Sequence, residues 1–384
     1  MIFHALRLPH YFTNHIRRQM AELYASSAIA DIAMAVVMLF EPIFLYSVLG
    51  FTITEVLLFM GAVYVFYILL IPFGAKIANR FGYEHAIFFS IPFQILYWGL
   101  LFGSQQNMIL VFFAPLAFAL QKSLYWPAFH AIIARFANQG QQGREFSLLH
   151  QIINLSFVLG PYLGGLISEQ FGVRITFVVA SAVYFCSFIP LFTTKEIFIP
   201  KVYKFRDTLM LYRKLPKKFL GYLGFGEELL VLTVWPIFIF IVVKNYEDTG
   251  ILATLAAFVA MVIGLYIGQL TDSSKSKVLL LRFGAVLYFI TWIGRIVANT
   301  FYTLFAIDSV SRVGKEMVFI PLSTVTYERA ESSHIMPYVV FFEQSLAIGK
   351  LLAVLLGVIV FALTGSFLAV FILAGFFSLL YMLI

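Results

Sequence analysis

Near its midpoint the chain reads KEIFIPKVYKFRDTLMLYRKLPKK over residues 195–218, a basic stretch between two long apolar halves. Its basic residues are Lys195, Lys201, Lys204, Arg206, Arg213, Lys214, Lys217 and Lys218. Almost uninterrupted apolar sequence lies on either side. We therefore predict four regions: a short leading segment at 1–26, a first half at 27–193, a basic linker at 194–218 and a second half at 219–384.

The two apolar halves carry the same landmarks at a nearly constant spacing. Glu41-Pro42-Ile43-Phe44 aligns with Trp235-Pro236-Ile237-Phe238 at an offset of 194 residues, from 41 to 235. Further matches at 194 or 193 residues are Pro127 with Pro321, Asn79 with Asp272, Gln151 with Gln344, Gly164 with Gly357 and Gly172 with Gly365. This spacing indicates an internal duplication, and a half-chain repeat of apolar segments is typical of membrane transporters.

The composition excludes an ordinary soluble protein. Hydrophobic residues make up 61% of the 384 residues and charged residues 12%, against roughly 25% charged residues in soluble domains. A spanning helix needs about 20 apolar residues, so the chain has room for about a dozen spans and little else. We therefore predict an all-α membrane protein in which twelve transmembrane helices form two six-helix halves.

Glycine, proline and charged residues divide the apolar sequence into the twelve predicted spans. In the first half the spans lie at about 27–50, 53–78, 84–103, 108–134, 146–169 and 173–193. In the second half they lie at about 219–243, 250–271, 277–298, 301–325, 336–363 and 366–384. Residues 1–26 mix basic and apolar side chains, which predicts an interfacial helix on the cytoplasmic face.

The basic residues outside the spans lie almost all on one side of the predicted membrane. The inner set is the basic linker with Arg7, Arg17, Arg18, Lys76, Arg80, Arg135, Arg144, Lys275, Lys277, Arg282 and Arg329. The outer set is Arg174 and Lys244. Because basic loops stay in the cytoplasm, we predict a plasma (inner) membrane protein with both termini cytoplasmic. Charge that follows the loops also argues against a nucleic-acid partner; we expect a monomer in the lipid bilayer.

Two turns at matching places in the halves resemble the cytoplasmic loop signature of the major facilitator superfamily, Gly-x-Leu-Ala-Asp-Arg-x-Gly. The first turn, residues 75–82, keeps Arg80 and Gly82 but has Asn79 in place of the acid. The second turn keeps Gly268, Leu270 and Asp272. In that family the acid caps a helix end of the opposite half, where N–H groups and partial positive charge favour it. The resemblance therefore implies a gating role for Asn79, Arg80, Gly82, Gly268 and Asp272.

Span five carries a stripe of small residues. Ser156, Gly160, Gly164 and Ser168 recur every four residues, which predicts close packing on a neighbouring helix. The string Gly160-Pro161-Tyr162-Leu163-Gly164-Gly165 also resembles the span-five signature of antiporters in the same superfamily. Span eleven repeats the stripe only in part, at Gly349, Ala353 and Gly357. Generic helix packing is the alternative, and related importers carry degenerate versions of the signature.

Several ionisable residues fall inside the predicted spans, where each costs roughly 2.5–3.5 kcal/mol at mid-membrane and needs a partner or water. The candidate substrate or coupling residues are Asp31, Glu41, Lys122, Glu227, Glu228, Asp308, Arg312, Lys315 and Glu316. Spans one, four, seven and ten line the central cavity in the superfamily, and these residues lie on those spans. A structural ion pair that locks helices together is the alternative for each of them.

The spacing on span ten makes these expectations specific. Asp308, Arg312, Lys315 and Glu316 share a stripe of roughly 100° on a helix. Arg312 lies four residues from both Asp308 and Glu316, and we expect it to reach both. Lys315 then needs Glu227 or Glu228 as its partner.

Two further placements are expected in other spans. Glu41 precedes the mid-span Pro42, and Lys122 lies near the middle of span four, so we expect these two side chains to be close. A carboxylate between such a partner and water suits proton coupling. Arg295, near the outer end of span nine, is expected to reach the lipid headgroups.

The sequence contains no catalytic motif, phosphate-cradling loop or cysteine-rich metal signature, so we predict neither an enzyme nor a bound cofactor. We predict a secondary active transporter that exports a small amphipathic solute. Proton exchange stays open, because Gln121-Lys122-Ser123 replaces the Arg and following Gln-Gly of proton-linked exporters in the family. An importer on the same fold and a membrane sensor are the alternatives.

The predicted orientation can be checked by cysteine labelling. Gln105→Cys and Asp248→Cys should react with a membrane-impermeant maleimide added outside intact cells, because both positions lie in predicted outer loops. Lys204→Cys in the linker should stay unlabelled. Labelling at position 204 would overturn the orientation and the number of spans with it.

Overall fold

The computed structural model of the chain describes residues 18–136, 142–193, 195–196, 198–271, 277–331 and 334–384. Six long helices form the first half of the described chain. They are α1 at Gln19–Val48, α2 at Ile53–Phe81, α3 at Tyr83–Ser104, α4 at Met108–Phe136, α5 at Gln142–Phe171 and α6 at Val173–Phe192. Each helix covers the span predicted for it.

The second half of the described chain repeats this arrangement. Its helices are α7 at Pro216–Val243, α8 at Tyr246–Thr271, α9 at Lys277–Val297, α10 at Phe301–Glu331, α11 at Ile335–Thr364 and α12 at Phe367–Leu383. A short linker helix, Phe205–Lys214, lies between the halves and donates from Thr208 Oγ1 to the carbonyl of Pro337 over 3.1 Å. The predicted all-α fold of twelve membrane helices in two halves is confirmed.

Ten of these helices are long and apolar enough to cross a membrane by themselves. Helices α10 and α12 are not among the ten, each for a different reason. Helix α10 has ample length but carries Asp308, Arg312, Lys315 and Glu316 close together, whereas α12 is short. Charges inside α10 therefore have to be compensated by neighbouring helices rather than by lipid.

Helix α1 begins earlier than predicted, at Arg18 rather than near residue 27. Its first turns are polar, but Gln19, Glu22, Ser26 and Ser27 are buried against the rest of the bundle. Glu22 Oε1 accepts a hydrogen bond of 2.8 Å from Thr193 Oγ1, just after α6. Burial and pairing of these polar groups extend the helix into the segment predicted as interfacial. Residues 1–17 of that segment lie outside the described residues.

The helix contacts show the internal duplication directly. In the first half α1 packs on α5 and α6, α4 packs on α2 and α3, and α3 packs on α6. In the second half α7 packs on α11 and α12, α10 packs on α8 and α9, and α9 packs on α12. Each pair in one half thus has its counterpart six helices later, as parallel repeats require.

The two largest interfaces between the halves are α5 with α8 and α2 with α11, and the repeat converts each into the other. Glycines permit the close approach at α5 and α8. A methyl group at Gly165 would lie 2.7 Å from the carbonyl oxygen of Tyr246, and one at Gly250 would overlap the carbonyl oxygen of Pro161. The contact between halves is therefore a backbone contact along this pair of helices.

The predicted small-residue stripe of α5 faces α1. A Cβ at Gly160 would overlap Ala35, and a Cβ at Gly164 would overlap the carbonyl oxygen of Val36, while Ser156 is buried on the same face. The second half shows a weaker version of this close helix packing. Gly349 of α11 lies against the Leu223 backbone of α7, and Gly357 leaves ordinary van der Waals distances to its neighbours.

The role of this stripe can be tested with matched glycine substitutions. Gly164→Ala should lower the free energy of unfolding by about 1–3 kcal/mol, because the added methyl group cannot be accommodated against the α1 backbone. Gly99→Ala in α3 is the control, since open space surrounds that position and alanine favours a helix by up to ~1 kcal/mol. Thermal unfolding in detergent measures both. Equal behaviour of the two variants would contradict the packing described for α5.

Candidate functional site

A cavity of about 260 Å³ lies between the two halves. The first half contributes α1 and α5 to its wall, and the second half contributes α7, α8, α9 and α10. Most of the wall is apolar, including Phe157, Trp235 and Phe319. The charged lining residues are His150, Glu228, Asp308, Arg312, Lys315 and Glu316. The cavity is therefore an apolar chamber with a few ionisable groups, as expected of a small-molecule site.

Lys315 pairs with Glu227, one of the two partners expected for it. The Glu227 carboxylate is fully buried and accepts hydrogen bonds from Lys315 Nζ, from Tyr288 OH at 2.5 Å and from Tyr381 OH at 2.9 Å. Tyr381 OH also lies 3.0 Å from Lys315 Nζ. These contacts connect α7, α9, α10 and α12. Since every oxygen and the ammonium have partners, this cluster fixes helices within the second half.

Glu228, the neighbouring carboxylate, points to a different helix. Its Oε2 lies 3.1 Å from Nζ of Lys350 on α11, and part of the side chain faces the cavity. Lys350 also lies over the Tyr64 ring of α2, 5.3 Å from its centroid. The two adjacent acids of α7 thus bind lysines of different helices. Glu227 binds Lys315 of α10, and Glu228 binds Lys350 of α11.

Asp308 and Arg312 pair within α10, as the spacing of four residues predicts. Arg312 Nε donates to Asp308 Oδ2 over 2.8 Å, and Trp235 Nε1 donates to Asp308 Oδ1 over 2.8 Å. The Asp308 side chain is 2% exposed, whereas the Arg312 side chain is 34% exposed. The carboxylate is therefore committed to its partners, while the guanidinium keeps further donors directed to the cavity region.

Glu316 does not bind Arg312, which corrects the expectation that Arg312 reaches both of its neighbours. Glu316 Oε2 lies 2.7 Å from His150 Nε2, and Glu316 Oε1 accepts from Asn154 Nδ2 over 3.3 Å. Both partners belong to α5 of the other half. Arg312 turns toward Asp308 because that carboxylate is held in place by Trp235. The Glu316 contacts therefore join the halves across the cavity.

Arg295 is buried rather than directed to the lipid headgroups, so that expectation is wrong. Its side chain is 1% exposed, and its guanidinium carbon lies 3.4 Å from the Trp292 ring centroid and 4.3 Å from that of Trp235. Arg295 Nη2 donates to Ser311 Oγ over 3.0 Å. Cation–π contact with two indoles compensates the buried charge. Trp292, three residues before Arg295, was the one local signal, whereas the contact with Trp235 of α7 could be seen only in the structure.

Glu41 and Lys122 are not joined in an ion pair, although Lys122 is near enough to act electrostatically on Glu41. Glu41 is buried and accepts a hydrogen bond of 2.5 Å from Tyr97 OH of α3. Lys122 Nζ lies over the Phe118 ring at 4.7 Å and acts on Glu41 only at longer range. The pairing fails because tyrosine and aromatic faces satisfy the two groups separately. Among the described residues neither side chain lines the cavity between the halves.

Asp31 lies on α1, near His150 of α5. Its Oδ2 is buried without a hydrogen-bond partner among the described residues. The structure therefore brings Asp31 near the Glu316 and His150 pair, which the sequence did not predict. The stripe His150, Asn154, Phe157 and Pro161 on α5 was the available signal, because these residues recur at helical spacing and all line the cavity.

The predicted gating turn after α2 is capped by a residue from the linker. Glu196 Oε1 accepts from the backbone N–H of Tyr83 at 2.5 Å and of Glu84 at 3.2 Å, at the start of α3. Gly82 has a φ of +116°, and a Cβ there would overlap the Glu196 carboxylate. This glycine is therefore required by both the backbone conformation and the space available.

Among the described residues Asn79 makes no cap on a helix of the other half, and its role in gating stays a prediction. Its Oδ1 has no hydrogen-bond partner among the described residues, and its backbone carbonyl accepts from Lys201 N over 3.0 Å. Arg80 is exposed over the Phe81 ring. The cap that Glu196 places on α3 lies within the half of Asn79 and is a different contact from the one that the resemblance implies. In the matching turn, Asp272 lies outside the described residues, and only the backbone of Gly268 is described, within α8.

Similarity to known proteins agrees with this architecture. The family model described as Major Facilitator Superfamily matches residues 23–243. The human organic anion transporter MFSD10 (TETRAN) has the same fold, with a TM-score of 0.66 and 14% sequence identity over 97% of this chain and 100% of that chain.

Curated relatives include the quinolone resistance protein NorA of Staphylococcus aureus strains Mu50 and N315. Each is 24% identical over 175 residues, which is 45% of this chain and 44% of the relative. The matched region spans less than half the length of these relatives. The family model itself covers more than half of this chain, including α1 to α7. The chain belongs to the major facilitator superfamily, a family of membrane transporters.

Proposed function

We propose that this protein is a secondary active transporter that exports a small amphipathic solute in exchange for protons. The observation that carries the proposal is the Glu316 contact across the central cavity. Glu316 belongs to the second half, and its partners His150 and Asn154 belong to the first half. Movement of one half against the other must change the surroundings of this carboxylate. A group with that property links conformation to charge, as coupled transport requires.

The cavity supports an amphipathic solute as substrate. Apolar side chains from α1, α5, α7 and α8 form most of the wall, and a volume of about 260 Å³ suits a small molecule. The Arg312 guanidinium uses Nε on Asp308 and remains partly exposed beside Trp235. An acidic or strongly polar group of the solute would bind at Arg312, and its apolar part would lie on the opposite wall.

Glu316 is the proposed coupling carboxylate, in place of Glu41. When the halves separate around it, Glu316 loses the imidazole of His150 and the amide of Asn154. An ionised carboxylate without those donors is costly in an apolar cavity, whereas a protonated one is not. Proton binding thus permits the separation, and proton release to the other side accompanies the return. Asp31, near His150, adds a second acid to this path.

The relatives support export as the direction. NorA is described as a quinolone resistance protein, which fits removal of an organic molecule from the cell. We place the protein as a monomer in the plasma (inner) membrane, with both termini in the cytoplasm. The asymmetric distribution of lysine and arginine supports this orientation. Membership of the superfamily supports a single chain as the transporting unit, since both halves of the cavity come from this chain.

Flux in inside-out membrane vesicles tests the proposal. With an acidic interior, wild-type protein should accumulate at least one member of a panel of fluorescent amphipathic acids, bases and neutral analogues. Glu316→Gln should abolish accumulation driven by the pH gradient but retain exchange of labelled for unlabelled solute, because the amide keeps polar contacts and cannot bind a proton. Glu41→Gln is the matched control, since Glu41 is bonded to Tyr97 away from the cavity.

Three outcomes would contradict this assignment. Normal pH-driven flux in a correctly inserted Glu316→Gln protein would show that this carboxylate is structural. Loss of pH-driven flux in Glu41→Gln alone would show that Glu41 of α1 is the coupling carboxylate. Uptake into right-side-out vesicles down an inward proton gradient, with none into inside-out vesicles, would establish an importer.

A further inference from the structure

A second buried histidine joins the halves at a different level from the cavity. His130 of α4 lies with Nε2 at 2.7 Å from Glu343 Oε1 and with Nδ1 at 2.6 Å from Tyr327 OH. Tyr67 OH of α2 donates to the other carboxylate oxygen, Glu343 Oε2, over 2.6 Å. Tyr67 and His130 belong to the first half, and Tyr327 and Glu343 belong to the second. We name these four residues the α4–α11 cluster.

The α4–α11 cluster is enclosed by aromatic and apolar side chains. The side chains of His130 and Glu343 are 9% and 5% exposed. The imidazole is stacked on Trp126, with ring centroids 5.5 Å apart and planes 23° apart, and Phe342 meets its edge. Removal from water strengthens each of these hydrogen bonds and makes an unpaired group costly. The hydrogen bonds among the four residues are therefore expected to form and break together.

The α4–α11 cluster is separate from the cavity. Along α10, Tyr327 follows Glu316 by eleven residues, which is about 16 Å of helix. Glu343 lies near the start of α11 and His130 near the end of α4, both at the predicted cytoplasmic end of the bundle. None of the four residues lines the central cavity. Opening of the cavity toward that end must therefore break the contacts of the cluster.

Few other charges act on the α4–α11 cluster from the helices that surround α4. On α11, Lys350 acts on Glu343 at longer range. On α1, Asp31 acts on Tyr125 of α4, and on α3, Tyr83 lies against Arg135 of α4. On α2, Tyr64 stands beside Tyr67 with ring centroids 6.3 Å apart. Glu343 is thus the acid bonded to His130, and the charge state of the imidazole decides the charge of the cluster.

We propose that the α4–α11 cluster is a second proton-binding site, a latch that is closed most firmly when His130 is protonated. With a neutral ring, Nε2–H donates to Glu343 and Nδ1 accepts from Tyr327 OH. One proton from water at Nδ1 makes the ring cationic, and Nδ1–H then donates to the tyrosine oxygen. The bond to Glu343 then joins two opposite full charges, which makes it stronger than the bond from a neutral ring. The latch role rests on the proposed transport by alternating access.

The sign of the pH dependence follows from this geometry. Glu343 stabilises the imidazolium only while the halves are closed at this end, because opening separates α4 from α11. Protonation therefore shifts the population toward the closed form, and histidine is the side chain suited to do so near neutral pH. Cytoplasmic proton release would then ease opening to the cytoplasm for the next solute.

Distance measurement between spin labels tests the latch without any substrate. Lys76→Cys on α2 and His334→Cys at the start of α11 are exposed positions in opposite halves. Cys186→Ser removes the native thiol, the single cysteine of the chain. In nanodiscs the ratio of the closed to the open population should rise roughly fivefold between pH 8 and pH 6, because the charged pair stabilises the closed form by roughly 1 kcal/mol more than the bond to a neutral ring.

Four variants decide what carries the effect. His130→Gln and Glu343→Gln should remove the pH dependence, and Tyr327→Phe, a milder change, should reduce it. His85→Gln should leave it intact, because His85 binds Glu196 within one half. A ratio that does not change with pH in the wild type overturns the proposal. So does pH dependence lost in His150→Gln but kept in His130→Gln. If the population ratio depends on pH but the protein shows no solute flux, the latch proposal is supported and the proposed transport function is contradicted.

Discussion

The hydrogen bond between Glu316 of α10 and His150 of α5 is the contact on which the site depends. It is made inside an apolar bundle, where a carboxylate without donors would be unfavourable by several kcal/mol. The donors come from the other half of the molecule, with Asn154 beside His150. Glu316 therefore cannot keep its partners and let the halves move apart. Glu227 and Asp308 differ in this respect, because they are bonded wholly within the second half, where movement between halves leaves their partners in place.

The duplicated architecture makes such a movement possible. Each half is closed by its own helix contacts, and glycines bring α5 against α1 in one half and α11 against α7 in the other. Between the halves the backbone approach of Gly165 and Gly250 concerns α5 and α8 alone. Polar contacts that join the halves, among them those of Glu316 and Glu343, are hydrogen bonds that water can replace. Rigid halves with a replaceable interface are what rocking about a central cavity needs.

Much of the fold could be predicted from the sequence, because span length, glycine and proline positions and the half-chain offset are local or periodic signals. The pairing of Lys315 with an acid of α7 was also accessible, since a charged stripe on α10 must face protein. The partners of Glu316, the burial of Arg295 and the hydrogen bond of Glu41 to Tyr97 were not. Each depends on a tertiary neighbour, such as Trp235 or Tyr97, that competes with the partner suggested by spacing. The contacts of His130 and His150 could not be predicted for the same reason, because their acids lie in the other half.

The central cavity of the proposed transporter must open to each side of the membrane in turn. Cysteine alkylation at Ala257 tests this alternating access most directly. Ala257 lines the cavity from α8. In a Cys186→Ser background, Ala257→Cys should react with an impermeant maleimide added to either face of sealed vesicles, and solute or a pH gradient should shift labelling from one face to the other. Labelling from a single face under every condition would contradict alternating access.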